Sequence, residues 1–434
     1  MQKNLSDSHP LVSPPSYKTL LACMGGNIIE WYDFMIYGYF SSIIGRLFFP
    51  SSNKTASLLL SLLVFAVGVI ARPLGGIVIG HIGDKISRKR SLMLSVYLMF
   101  FATTLIGLLP TYEQIGIFAP IILFCLRIVQ GLAMGGEYAG MMVLMVESAP
   151  ANKKGFYGSL AALSLVTGMF LAACITMVVH QLSEDQILAW GWRIPFFLSV
   201  GGLVYTLYMR RNLIEPAYFE AAKAMNQLIS YPFKEMWHRY FSLTGYTILL
   251  QTVLAIGMYT ITVYFINYSR EFLPFSKVHT LSVNMLAMVV LGISAFLSGW
   301  LSDYFGRKKV LLVSCLLIML AGFLSVYLTS LKELSSFLLS QVIFSFSIGQ
   351  FLGTTPAALA EIFPPQIRYT SIAFTNNIAM GVFGGTAPLA IFYGMSLTDD
   401  PYIPAYYLAL GAVISLVGLT KVYTQKSSIR MQEG

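Results

Sequence analysis

Charge is what this sequence has least of. Asp, Glu, Lys and Arg make up 11% of the 434 residues, against 56% hydrophobic residues and a mean hydropathy of +0.70. A soluble chain of this length carries about twice that charged fraction, so an ordinary water-soluble globule is set aside. Cysteine is scarce too. Cys23, Cys125, Cys174 and Cys315 each lie inside an apolar run and read as small buried hydrophobes, not as a disulfide framework. Metal-ligand spacing is missing, and no metal or cofactor is expected. There is no Walker-type phosphate loop, which favours a gradient over ATP hydrolysis as energy source. Nor is there a nucleophile–base set, so the chain does not read as an enzyme. Residues 1–17 lack a basic stretch leading into a short apolar core, and no removable signal peptide is read there.

What the sequence has in quantity is long apolar runs, many near the roughly 20 residues that cross a bilayer core. Twelve are delimited, at 18–42, 56–80, 90–110, 115–147, 155–181, 192–210, 242–269, 278–301, 308–330, 334–361, 368–396 and 402–424. The expected fold is an all-α membrane protein of twelve transmembrane helices. Of the 28 Lys and Arg, 20 fall between alternate spans or at the termini, 6 fall on the other side, and 2, Arg72 and Arg127, lie inside spans. The positive-inside rule then puts both termini and the 211–241 loop in the cytoplasm, and it explains the net charge of +9 without nucleic acid.

The two halves repeat. Gly80-His81-Ile82-Gly83-Asp84-Lys85-Ile86-Ser87-Arg88-Lys89 returns in the second half as Gly299-Trp300-Leu301-Ser302-Asp303-Tyr304-Phe305-Gly306-Arg307-Lys308. Glu147-x-x-Pro150 then Lys154 returns at a similar offset as Glu361-x-x-Pro364 then Arg368. Two pseudo-symmetric six-helix bundles follow, at 18–210 and 242–424, flanked by tails at 1–17 and 425–434. A substrate site between parallel repeats near midplane is expected.

The repeated G-x-x-x-D-x-x-G-R-K pattern resembles the loop signature of the major facilitator superfamily. Within it, the chain resembles the metabolite–proton symporter family of proline/betaine, α-ketoglutarate, citrate and shikimate carriers. The residues that carry this are Gly26-Asn27-x-x-Glu30-Trp31-Tyr32-Asp33-Phe34, Arg72-Pro73-Leu74-Gly75-Gly76, Arg127-x-x-Gln130-Gly131, Gly135-Gly136-Glu137, Gly191-Trp192-Arg193-Ile194-Pro195-Phe196 and Glu215-Pro216. Two positions depart from the pattern: Ser87 stands where the first loop usually has Gly, and Tyr138 where many relatives have Trp. The resemblance implies proton-coupled transport by alternating access, in the cell inner (cytoplasmic) membrane. It also implies that the loops clasp neighbouring helix ends when the carrier faces outward. Asp84, Arg88, Asp303 and Arg307 would form this cytoplasmic gate with Glu147 and Glu361.

Ionisable groups at bilayer midplane are costly and by default mark a functional site. Glu30 and Asp33 share one face of the first span with Asn27 and Tyr37. On the fourth span, Arg127, Gln130, Met134 and Glu137 fall within an arc of about 80° at about 100° per residue. Glu137 lies about 15 Å nearer the cytoplasm than Arg127. Arg127 is expected to grip a carboxylate, and Arg72 to snorkel, contact substrate or pair with Glu137. Glu137, then Asp33, are the first candidates for carrying the proton, with Glu30 a third. The second half has no midplane charge and offers Tyr259, Asn376 and Asn377 as polar contacts. The competing assignment for each charge is a fixed ion pair that only holds helices together.

The expected partners are a small solute, protons and lipid, with the chain acting as a monomer. A zwitterion such as proline or betaine suits an arginine facing acids, with an aromatic wall from Trp31, Tyr32, Phe34, Tyr37 and Tyr138. An anionic dicarboxylate, citrate or shikimate type would use Arg72 as a second cation. Export of a metabolite or siderophore stands third. A receptor role would need an output module, and the 211–241 loop is too short to be one.

Overall fold

The computed structural model describes residues 17–51, 54–211, 213–225 and 228–433. The 1–17 tail thus lies, up to residue 16, outside the described residues. Twelve long helical segments are α1 (Tyr17–Tyr39), α2 (Lys54–Lys85), α3 (Arg88–Leu108), α4 (Phe118–Glu147), α5 (Lys154–Val179), α6 (Ile194–Arg210), α7 (Phe241–Leu250, resuming at Thr252 and ending at Phe272), α8 (Lys277–Phe305), α9 (Arg307–Ser330), α10 (Leu334–Ile362), α11 (Arg368–Thr398, in three pieces) and α12 (Ile403–Glu433). Among the described residues, ten of these are long and apolar enough to cross a bilayer, all but α1 and the short α6. No strand occurs among the described residues.

Helix ends follow local chemistry. Ser87 Oγ accepts from Arg90 N at 2.9 Å and starts α3; Ser276 Oγ accepts from His279 N at 3.2 Å and starts α8. The two signature loops differ in backbone. Gly306 has φ +87°, a region costly for a side chain, whereas Ser87 has φ −175°, extended backbone that any residue adopts. The serine is therefore tolerated in the first loop, where it doubles as the cap.

The helix boundaries match the sequence reading to a few residues, with three differences. α2 continues through the loop motif to Lys85, beyond the expected end at 80. α12 stays helical past 424, so most of the 425–434 tail is helix. α7 and α11 contain π-helical turns at Thr260–Tyr264 and Ala379–Gly384. α7 is also interrupted at Gln251, where Ser415 Oγ of α12 accepts from Val253 N at 2.9 Å and donates to Leu249 O at 3.1 Å. A side chain thus substitutes for the missing ladder contacts, a recognised cause of helix kinks.

Within each half, helices meet backbone to backbone, and α2/α4 and α8/α10 are matching pairs. A Cβ on Gly135 of α4 would strike the Arg72 carbonyl of α2, and one on Gly353 of α10 would strike the Ala295 carbonyl of α8. These two glycines are offset in the chain much as the repeated loop motifs are, so they occupy equivalent places in the two halves. The halves meet along α2/α11 and α5/α8, where Gly80 packs on Thr370 and Gly155 on Gly299.

Candidate functional site

The loop motifs build a crossed clasp at one end of the molecule. Asp84 ends α2 and accepts from Tyr369 N and Thr370 N, at 3.1 and 2.8 Å, at the start of α11. Asp303 ends α8 and accepts from Gly155 N and Phe156 N, at 2.8 and 2.9 Å, at the start of α5. Each aspartate therefore caps a helix N-terminus in the opposite half, where free N–H groups and the helix dipole favour an anion. Arg88 pairs with Asp84, lies 3.3 Å from Glu147 and donates to Pro365 O at 2.9 Å. Arg307 pairs with Asp303 at 2.8 Å and Glu361 at 3.3 Å. The structure thus gathers the six expected gate residues into two matching clusters, Asp84–Arg88–Glu147 and Asp303–Arg307–Glu361. Sequence reasoning missed Arg368, whose Nη1 reaches Glu147 across the halves at 2.8 Å. Its signal was the Glu147/Glu361 echo, which ends on Arg368. Glu215 also joins, accepting from Arg88 N and Lys89 N at 3.0 Å each, and Phe219 lies 5.2 Å beneath the Arg88 guanidinium.

Deeper in the bundle the expected pairings change. Glu137 does not pair with Arg72. It forms an ion pair with Arg210, the last residue of α6, and Ser95 Oγ also donates to it. Arg210 completes its shell on Ala22 O, Leu92 O and Cys23 O at 3.1, 3.0 and 3.2 Å. The sequence reading counted Arg210 among the 20 basic residues between alternate spans or at the termini. The missed signal was depth: Glu137 lies near the same end as Arg210, and an acid buried there needs a cation at its own level.

Arg127 is likewise not in ion-pair contact with Glu30 or Asp33. Its guanidinium lies 4.2 Å from the Tyr37 ring centroid and 5.3 Å from that of Phe65, and it donates to Gln130 Oε1 at 2.7 Å. Two aromatic faces hold it in place of a carboxylate. Gln130 Nε2 donates to Thr103 Oγ1 at 2.8 Å, and Thr103 Oγ1 donates to Asp33 Oδ2 at 2.8 Å. Arg127 and Asp33 are thus joined by a relay of two neutral side chains.

Arg72 faces the other half. Its Nε donates to Asn377 Oδ1 of α11 at 3.0 Å, and its guanidinium sits 5.6 Å from the Trp31 ring. Asn377 Nδ2 in turn donates to Gly135 O at 2.7 Å. Trp31 and Tyr138 meet edge to face at 6.3 Å. Glu30 Oε1, Trp31 Nε1, Tyr138 OH and Tyr259 OH are buried without a hydrogen-bond partner among the described residues. Asn27 is used elsewhere, donating to Ser164 Oγ at 2.7 Å and Ala161 O at 3.1 Å, so it binds α1 to α5. Tyr37 donates to Ser61 O at 3.4 Å, and Asn376 is buried. Cys23 and Cys315 are buried as expected, while Cys125 is exposed and Cys174 half-buried.

The charges sort into two classes. Among the described residues, Asp84, Arg88, Glu137 and Arg210 are buried in ion pairs, while Glu30, Asp33, Arg72 and Arg127 are buried in none. Leaving a buried charge without a contact partner costs several kcal/mol, so four such charges in one bundle make this region the candidate site.

Comparison with known proteins agrees with this fold. The family described as sugar (and other) transporter matches residues 18–213 and 234–422. A putative proline/betaine transporter of Staphylococcus aureus (strain COL) is 32% identical, covering 93% of this chain and 87% of the relative. The glycine betaine/proline/ectoine/pipecolic acid transporter of Dickeya dadantii (strain 3937) is 30% identical over 96% and 85%. A proline/betaine transporter of Escherichia coli (strain K12) is 30% identical over 95% and 85%. In fold, the chain is similar to the proton:xylose symporter XylE, with a TM-score of 0.76, 16% identity and coverage of 94% and 95%.

Proposed function

Because the chain belongs to the sugar (and other) transporter family of the major facilitator superfamily, and so is a membrane transporter and not an enzyme, we propose that it is a proton-coupled symporter importing a small zwitterionic solute of the proline or betaine type. It works as a monomer in the inner membrane, with the clasp and both termini on the cytoplasmic side, as the basic residues between alternate spans require. The bundles rock about the site, and the crossed clasp holds the cytoplasmic end shut while the carrier faces outward.

The observation that carries this reading is the class of four unpaired buried charges. With both acids ionised their formal charges sum to zero, which suits a solute with no net charge. The names of the relatives point the same way. A dianion fits less well, because Arg127 is already committed to Tyr37, Phe65 and Gln130.

For the proton, Asp33 now stands ahead of Glu137. Glu137 has a dedicated cation in Arg210, whereas Asp33 has only hydroxyl company. The relay through Thr103 and Gln130 to Arg127 links its protonation to the bundle interior, and shared charges couple proton and solute affinity. Uptake of labelled proline, betaine and dicarboxylates by proteoliposomes, with and without an imposed pH gradient, tests the reading. Accumulation of a zwitterion only with the gradient supports it; uptake indifferent to the gradient removes the proton, and selective uptake of a dicarboxylate removes the solute class. Asp33→Asn is expected to abolish gradient-driven accumulation while solute exchange persists. Unchanged accumulation would reject Asp33.

A further inference from the structure

Resting on that reading of the solute, we propose that it lies end to end between Arg72 and Glu30, its carboxylate on Arg72 and its cationic end toward Glu30, against a wall of Trp31 and Tyr138. Arg72, not Arg127, is then the residue that selects for the carboxylate.

Both termini of this arrangement are buried, Arg72 at 2% and Glu30 at 3% exposure. The Arg72 guanidinium sits 5.6 Å from the ring of Trp31, the residue next to Glu30 in α1, and among the described residues Arg72 and Glu30 form no ion pair. With Glu30 ionised, the two opposite charges form a fixed dipole in a low-dielectric interior, and a zwitterion laid antiparallel to it satisfies both at once. Had they closed into a salt bridge, the solute would have had to break it; their separation is preorganised for binding.

Arg72 is fixed in a way that leaves one edge for a ligand. Its Nε is committed to Asn377, and among the described residues no hydrogen bond occupies its two Nη groups. The Nη pair is the fork that meets a carboxylate in two parallel hydrogen bonds. At the other end, Glu30 Oε1 is buried and without a partner among the described residues. Trp31, next in the chain to Glu30, has the Arg72 guanidinium 5.6 Å from its ring and Tyr138 edge to face at 6.3 Å, and the two rings supply the aromatic wall for a substituted ammonium. The unpartnered Trp31 Nε1 and Tyr138 OH offer a polar guest a donor and a donor–acceptor. Because Asn377 belongs to α11, the carboxylate end of the site is anchored across both halves, and solute binding is sensed by both bundles.

The test is competition against labelled glycine betaine in proteoliposomes of the full chain, using two analogues. Choline keeps the trimethylammonium and lacks the carboxylate. 3,3-Dimethylbutanoate keeps shape and carboxylate, with carbon in place of nitrogen. Wild type is expected to prefer glycine betaine over each by roughly tenfold or more, since either analogue leaves one buried charge unanswered. Arg72→Gln is expected to lower betaine affinity to that of choline while leaving choline unchanged. Glu30→Gln is expected to lower it to that of 3,3-dimethylbutanoate, leaving that analogue unchanged. Equal weakening of betaine and choline in Arg72→Gln would overturn the placement. Where a Gln variant fails to yield folded protein by gel filtration, Arg72→Lys and Glu30→Asp take its place. Arg72→Lys keeps the charge and loses the fork, so a selective weakening of betaine relative to choline supports the placement and equal weakening of both overturns it; for Glu30→Asp the same comparison is made between betaine and 3,3-dimethylbutanoate. A wild type that binds neither betaine nor proline overturns the solute class as well; one that binds them with no collapse of ratio in the variants overturns the end-to-end placement alone.

Discussion

Single residues decide whether a buried charge is scaffold or machinery, and the partner is what separates them. Glu137 and Arg210 answer each other inside the first bundle, so removing one strands the other. Arg210→Leu is expected to destabilise the folded protein by about 3–5 kcal/mol, read as lost thermal stability in detergent. The double change Arg210→Met with Glu137→Leu should recover much of that, because an apolar pair of similar size is often neutral or better. A double variant no more stable than the single would mean that the pair is not the origin of the loss. This distinction was not legible in the sequence. The spacing of Arg127, Gln130 and Glu137 put all three on one helical face, and that periodicity is sound, but a face as long as that of α4 passes several neighbours. Arg127 meets Tyr37 and Phe65, and Glu137 meets Arg210. One-dimensional spacing fixes the direction in which a side chain points, not which helix stands there.

At the scale of helices, the sequence was most readable where physics is local. Apolar length and the repeated loop both express nearest-neighbour rules, and the spans and the bundle repeat follow from them. The interruptions of α7 and α11 do not, since Gln251 is a break only because Ser415 of α12 supplies the hydrogen bonds. Ser415→Ala is therefore expected to destabilise by about 1 kcal/mol per lost bond and to speed amide hydrogen exchange around Leu249–Val253, relative to the unbroken α8. Unchanged exchange there would show that the break is set by α7 itself. Gly135→Val and Gly353→Val should each cost at least about 1–3 kcal/mol, because the obstacle is a backbone carbonyl that no rotamer change removes. Equal damage in the two halves, by thermal stability of the purified variants, checks their equivalence.

For the whole molecule, the hydrogen bonds and ion pairs between the halves gather at the clasp and around Arg72, Asn377 and Tyr369, and this asymmetry sets the resting pose. Asp84→Asn removes the charge from two helix-capping bonds, each worth about 1.5–3 kcal/mol, and the shift should open the clasped end at least about tenfold more often. Spin labels at Ile86 and Tyr304 should then separate, while labels at Ser42 and Phe272 on the opposite face draw together. Movement of one pair without the other would argue against rigid rocking. The clasp also limits how such carriers diversify. Each half holds the stopper for the other, Asp84 for the amides of Tyr369 and Thr370, Asp303 for those of Gly155 and Phe156. A hybrid joining one half of this chain to a distant cousin's must inherit a fitting acid and a fitting pair of amides together. Recombination within the family is thereby steered toward halves already matched at their tips, even where the solute sites would tolerate exchange.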